Sequence, residues 1–271
     1  MATIYEPKGK AREYSPLALN PYLGCNHACK YCYVPGIRRC SPEQNLNIIE
    51  KHNFIDDLKK DARNLKDRNQ QVLLSFMSDP YNSLEPEKKL TRKSLKILLD
   101  NRIPCAILTK AGTKALGDMD IFKLFGKSIQ VGATLTLEND KDSFFWESGA
   151  ALPSDRIEML KQLKENGIKT WASFEPVIDP VQSVNLIKKV IDYVDIFKIG
   201  KLNNIYSEIQ NKINWQEYLK TIVSILRSYN KAFYVKYDLR RICPEVKLFG
   251  NEVLQDEHNS LPFNIRHETL F

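Results

Sequence analysis

The chain has 271 residues and a mass of 31.3 kDa, with 43% hydrophobic and 27% charged residues. These are ordinary globular proportions, which exclude collagen, a disordered tail and a disulfide miniprotein, and no apolar run approaches the roughly 18 residues of a membrane span. Lys and Arg exceed Asp and Glu by 40 − 33 = 7, a surplus that suits a polyanionic partner without demanding one.

The first residues, up to Tyr22, show no apolar core followed by a small-residue cleavage site, so a cytoplasmic protein is expected. A first strand candidate, Leu17 to Leu23, runs into three closely spaced cysteines. Strand-like runs rich in β-branched and aromatic residues then follow at Gln71–Met77, Ile103–Thr109, Ile129–Leu135, Ile168–Phe174, Val194–Ile199 and Ala232–Lys236. Amphipathic helical stretches separate them. One spans Ser154 to Asn166 and stops at Gly167 as a left-handed cap. Asp179-Pro180 with Gln182 opens another as a capping box, and Asn214 with Glu217 opens a third. Alternating units of this length predict an α/β fold with parallel strands, a partial (β/α)6 barrel of the TIM type over residues 1–237. The polar stretch 238–271 breaks the rhythm and reads as a C-terminal appendage of the same domain, placed to close one end of the barrel.

Ligands of parallel α/β folds bind where the carboxyl ends of the strands converge. That rule selects Ser78-Asp79-Pro80-Tyr81, Thr109-Lys110, Thr134 to Thr136, Glu175-Pro176 and Gly200-Lys201. The strongest chemical signal is Cys25-Asn-His-Ala-Cys29-Lys-Tyr-Cys32, a C-x3-C-x2-C spacing in the loop after the first strand candidate. Clustered thiolates bind zinc or an iron–sulfur cluster. Structural zinc takes four ligands, and here His27 or Cys40 would have to complete the set. A cubane on three cysteines would instead leave one iron open. Of the remaining cysteines, Cys105 lies within a strand run and reads as core, Cys40 as a loop thiol, and Cys243 is isolated.

The cysteine spacing, the aromatic Tyr31 before the third cysteine and the βα rhythm resemble the radical S-adenosylmethionine superfamily. The segments Asn20-Pro-Tyr-Leu-Gly-Cys25, Cys32-Tyr33, Ser78-Asp79-Pro80-Tyr81 and Leu108-Thr109-Lys110 are more closely similar to its spore photoproduct lyase-like branch, often labelled DNA repair photolyase-related. The resemblance implies a [4Fe–4S] cluster on Cys25, Cys29 and Cys32, S-adenosylmethionine on its open iron, and release of a 5′-deoxyadenosyl radical after one-electron cleavage. It also implies a reductant such as flavodoxin or ferredoxin. Ser78 and Lys110 would contact the methionine carboxylate, Thr134 the ribose or methionine end, and Tyr31 either the adenine or the packing of the loop. Asp79 would hold the methionine amine or cap a loop, and Glu175 would hold the ribose or begin a turn. The true lyases carry a hydrogen-donating cysteine immediately before that serine, where this chain has Met77, and a thioether has no S–H to donate.

The mixture of Lys236, Tyr237, Arg240 and Arg241 near the last strand suits a polyanion, whereas Lys88, Lys89, Arg92 and Lys93 read as a solvated helix face. No second cysteine-rich region supports an auxiliary cluster. Three functions follow as expectations: a radical enzyme acting on nucleic acid, the same chemistry on a small molecule or protein side chain, and a zinc-stabilised nucleic-acid-binding module without catalysis.

Overall fold

The computed structural model describes residues 3–74, 76–202 and 206–253. Its strands are β1 (Ile4–Tyr5), β2 (Leu17–Leu19), β3 (Tyr22–Leu23), β4 (Ile49–Glu50), β5 (Val72–Leu74), β6 (Cys105–Thr109), β7 (Ile129–Thr134), β8 (Lys169–Val177), β9 (Ile196–Lys201) and β10 (Ala232–Val235). Eight form one sheet in the order β1-β2-β5-β6-β7-β8-β9-β10. β1 pairs antiparallel with β2, and every later step is parallel. Among the described residues β1 and β10 are the two edges, so the sheet is a partial barrel that does not close. β3 leaves it to pair with β4.

Both faces of the parallel strands are covered, which is why β5 and β7 are buried throughout. Outward side chains such as Leu74, Ile107, Val131, Phe174, Phe197 and Val235 pack under the helices Phe54–Leu65, Leu90–Asp100, Pro153–Glu165, Pro180–Val190 and Trp215–Ser228. Inward ones, Leu73, Ala106, Trp171 and Ile196, form a second, small core around Tyr14. Tyr14 ends the 3-10 turn Gly9–Glu13, and its ring meets Trp171 and Phe76 at 6.0 Å each. Glu13 ties this plug to the last strand by accepting from Tyr234 Oη (2.9 Å) and Tyr237 N (3.0 Å). Gly132 is where the barrel admits Trp171: a Cβ there would stand 2.7 Å from the indole.

Most expected elements lie where the periodicity puts them, and the differences have local causes. The first candidate is split at Asn20-Pro21 into β2 and β3. β8 runs on through Glu175-Pro176 to Val177, so that pair is strand rather than the start of a turn. A helix at Asp140–Trp146 follows β7, the helix expected from Ser154 to Asn166 is Pro153–Glu165, and Gly167 after it takes φ +75° as the sequence suggests. Asp179 caps its helix by accepting from Val181 N and Gln182 N. Gln182 does not complete a capping box; its Oε1 accepts from Glu138 N and Asn139 N, both at 2.9 Å, and so pins the loop after β7.

Within 238–271, a helix at Tyr237–Ile242 follows β10 directly. A short helix at Gly250–Val253 places Glu252 2.6 Å from Arg227, which precedes the amino end of β10. The remainder of the expected appendage, 254–271, lies outside the described residues. No helix among those described is long and apolar enough to cross a membrane.

Candidate cofactor site

At the carboxyl ends of the strands a cavity of about 480 Å³ is lined by all three cysteines of the motif and by Tyr31, Ser78, Asp79, Lys110, Thr134, Glu175 and Lys236. The sequence-predicted positions from separate loops therefore share one space.

The cysteine loop is built by backbone bonds. Gly24 enters it at φ +82°, where a Cβ would fall 2.3 Å from the Asn47 carbonyl oxygen. Cys25 N donates to Asn45 O at 2.8 Å, and Cys32 N to Cys29 O at 3.0 Å. From the other side, Lys30 N donates to Trp146 O (2.9 Å) and Gly149 N to His27 O (3.0 Å), with a bridge between Cys29 and Glu147. Gly149 is required there, because a Cβ would sit 2.0 Å from Asn26 O. The three thiols are unbridged and half-buried. Burial pushes Cys25 up to about 11 and Cys29 up to about 12, and raises Cys32 as well; Cys25 and Cys32 themselves add to the rise at Cys29. Three protonated soft donors gathered at one wall are what a thiophilic metal binds, releasing the protons as it does so.

Asp79 organises the floor. Its Oδ1 accepts from Tyr81 N (2.8 Å) and Thr109 Oγ1 (2.7 Å), and its Oδ2 from Lys110 N (2.8 Å). His27, buried, places Nδ1 3.5 Å from the same carboxylate, and burial lowers its pKa. Ser78 Oγ accepts from Asn82 Nδ2 at 3.1 Å. Lys110 is different. Its ammonium stands 5.5 Å from the Tyr31 ring and, among the described residues, has no hydrogen bond or ion pair. Burial works to discharge it, but Cys29 and Glu147 outweigh burial and hold it above the ordinary lysine value. A charged donor of this kind is suited to an anionic ligand group.

Glu175 already has partners within the barrel: Tyr14 Oη and Lys236 Nζ reach its Oε2 at 2.5 and 2.6 Å. Gly200 makes the room, since a Cβ there would be 2.8 Å from Glu175 Cδ and 2.9 Å from Lys236 Cδ. This divides the expected polyanion cluster. Lys236 is 2% exposed and faces the barrel interior by strand alternation, whereas Tyr237 and Arg241 face solvent and Arg240 donates to Val253 O at 3.0 Å.

Sequence reasoning missed the group beneath the cysteines. Arg156 Nη2 meets Glu147 Oε2 at 2.6 Å with both side chains at or below 1% exposure. Thr136 Oγ1 donates to Glu147 Oε1 at 2.9 Å, and Tyr31 Oη donates to the same oxygen. The available signal was faint: an arginine in the first turn of a helix runs against the helix dipole and so asks for a specific partner.

A parallel partial barrel with three cysteines at the carboxyl mouth defines a class of metal-cofactor enzyme folds. Residues 19–194 match the Radical SAM superfamily, and the chain belongs to it. Uncharacterized protein MJ0683 of Methanocaldococcus jannaschii is 30% identical over 230 residues, covering 77% of this chain and 85% of its own. Uncharacterized protein ORF301 of Acidianus two-tailed virus is 24% identical over 240 residues, covering 82% and 76%. Among solved structures, Streptococcus suis SuiB bound to S-adenosylmethionine superposes with a TM-score of 0.63 at 17% identity, covering 86% of this chain but only 53% of SuiB. A point mutant of spore photoproduct lyase gives 0.62 at 13% identity, covering 86% and 78%. At these identities the two structures share the fold with this chain.

Superfamily membership implies a [4Fe–4S] cluster and S-adenosylmethionine as cofactors, and the donors fit them. Cys25, Cys29 and Cys32 line one cavity together with Lys110, a set of soft thiol donors of the kind that holds an iron–sulfur cluster. Of the two residues that could complete a zinc site, His27 lines the cavity with Nδ1 3.5 Å from the Asp79 carboxylate, and Cys40 is not among the lining residues.

Proposed function

We propose that this chain is a radical S-adenosylmethionine enzyme with its cluster on Cys25, Cys29 and Cys32, acting on a nucleic acid in the cytoplasm. The observation that carries the reading is the convergence on one cavity of the three thiols and the Lys110 ammonium, which has no ion-pair partner among the described residues. When bound, the cluster and S-adenosylmethionine supply one-electron cleavage of the sulfonium and hence a primary carbon radical. The chain's own residues do the rest. Lys110, with Ser78, holds the methionine carboxylate; Thr134 and Tyr31 line the path to the adenosine. Asp79 fixes the loops that carry Lys110 and Tyr81, which leaves loop organisation as its first role. Glu175, paired with Lys236, shapes the far wall. A one-electron carrier of the flavodoxin or ferredoxin kind serves as the reductant.

The nucleic-acid part rests on the mouth. Lys8 and Lys10 line the cavity beside Tyr33 and Phe76, a combination of cations with aromatic faces that suits a phosphate-linked base, while Lys201, deeper in the wall, donates to Gln210 Oε1 at 2.6 Å. Lys10 shares its charge with Asp238 at 2.5 Å. Anaerobic reconstitution should give about four irons per chain and dithionite-dependent cleavage of S-adenosylmethionine; stoichiometric zinc and no cleavage would refute the enzyme reading. Single-stranded oligonucleotide binding should weaken with salt at about −0.7 per phosphate contacted, and Lys8→Glu with Arg241→Glu should reduce that slope. Salt-independent binding in the wild type would transfer the substrate to a small molecule or protein side chain.

A further inference from the structure

We infer that the buried Glu147–Arg156 pair is a positioning and charge-setting unit for the cysteine loop. It holds Cys29 and Tyr31 on the end of β7 and fixes the reduction potential of whatever cluster the loop carries. This rests on the reading that Cys25, Cys29 and Cys32 hold a cluster.

The geometry is unusual for a merely structural ion pair. Glu147 spans the gap between the cysteine loop and the sheet. Its backbone bridges Cys29, and its Oε1 accepts from Tyr31 Oη on the loop and from Thr136 Oγ1 beyond β7. Arg156 completes the frame from its helix, donating to Ala151 O at 2.8 Å and to Thr134 O at 3.0 Å. Ala151 N donates to Lys110 O at 2.9 Å, so the loop that carries the Lys110 cation is part of the same assembly. Tyr31 and Thr134 are thus held by two side chains that do not line the cavity, Lys110 through the Ala151 backbone that Arg156 fixes, and Cys29 through the backbone of Glu147 itself.

The charges matter as much as the bonds. Replacing a buried ion pair with apolar groups is often neutral for stability, whereas removing one partner strands the other charge in a low dielectric. Retaining such a pair beneath the thiols supplies two fixed charges of opposite sign whose field is weakly screened. With Arg156 Nη2 2.6 Å from Glu147 Oε2, the pair sets Glu147 as an anion next to Cys29 and Arg156 as its compensating cation. Electrostatics around the thiolates is one of the means by which a protein sets the potential of an iron–sulfur centre.

The two charges give a signature that structural damage does not mimic. Glu147→Gln keeps the shape and both oxygen-acceptor contacts on one atom while removing the anion, so one-electron reduction becomes easier. Arg156→Met removes the cation and leaves Glu147 uncompensated, so reduction becomes harder. Each should change the reduced-to-oxidised ratio at a fixed potential at least tenfold, which for one electron is 59 mV. The double variant should return towards wild type. The measurement is an anaerobic potentiometric titration of the reconstituted protein followed by electron paramagnetic resonance, without S-adenosylmethionine and without turnover. Tyr31→Phe and Thr136→Val, which remove hydrogen bonds but no charge, provide the comparison if either single variant fails to retain iron, and Arg156→Lys should restore the wild-type potential. Shifts of the same sign in the two charge variants, or potentials unmoved while iron content is normal, would overturn the inference. A wild-type protein that assembles no cluster would instead overturn the functional reading on which it depends.

Discussion

Truncating Lys110 isolates the affinity of the cavity for an anionic group. The side chain ends 5.5 Å from the Tyr31 ring and makes no hydrogen bond or ion pair among the described residues. Lys110→Ala therefore breaks no internal side-chain bond seen there, and its backbone N–H to Asp79 remains. The fold should lose little, and the deficit should fall on the ligand. A charge-assisted hydrogen bond contributes about 1.5–3 kcal/mol, which at 1.4 kcal/mol per decade is roughly a ten- to hundredfold rise in the dissociation constant of S-adenosylmethionine. Because its neighbours hold the ammonium above its ordinary pKa, the lysine stays charged and the deficit should be constant between pH 6 and 9. Asp79→Ala is the contrasting case: it strips acceptors from Tyr81 N, Thr109 Oγ1 and Lys110 N, so cluster retention and affinity should fall together. Equilibrium dialysis of labelled cofactor against the reconstituted protein, with iron assayed in parallel, reads both quantities. An affinity for Lys110→Ala within twofold of wild type, with iron intact, would show that the methionine carboxylate is held elsewhere.

Ala at Cys25, Cys29 or Cys32 should remove iron, whereas Ala at Cys40 or Cys243 should leave it near the wild-type content, because neither of those thiols lines the cavity; iron lost from the Cys40 variant would redraw the ligand set. A second outcome concerns Lys198, buried between Tyr14 and Trp171 and pushed down to about 7 by burial and by Lys236, with Glu13 opposing. Between that value and the ordinary 10.5 the unfolded chain binds a proton that the folded chain does not, so wild type should gain stability relative to Lys198→Met as pH rises through that window, and the difference should be flat below it. Urea midpoints of the two proteins at pH 6, 8 and 10 measure this, and a pH-independent difference refutes it.

The fold was legible because a parallel sheet with both faces covered leaves a local trace. Runs such as Ile129–Thr134 and Ile103–Thr109 are predominantly apolar over the length of a strand, and the helices of the chain carry their own stops, as Gly167 does at φ +75° after Pro153–Glu165. What local pattern does not encode is how a strand ends. β8 carries Glu175 and Pro176 inside the sheet because Tyr14, Lys236 and the missing side chain of Gly200 accommodate the carboxylate there. Those partners come from three other parts of the chain. For the same reason Gln182, whose spacing from Asp179 fits a capping box, spends its acceptor on the loop after β7 instead.

The site divides along the same line. Residues that touch a ligand must sit at strand ends or in a spaced motif, and so Cys25, Cys29, Cys32, Ser78, Lys110 and Thr134 were identifiable from position alone and do meet at one cavity. Residues that hold those residues obey no such rule. Glu147 and Arg156 are nine apart in the chain and belong to no spaced motif, yet both side chains are at or below 1% exposure. Lys236 reads as part of a basic surface and is instead the inward half of an ion pair. A buried charge is fixed by its partner, and the partner is chosen by the topology. The charges a sequence displays most openly are therefore the ones whose role it encodes least, and the framework around Cys29 is where a change of one charge should reveal most about how this barrel governs its cofactors.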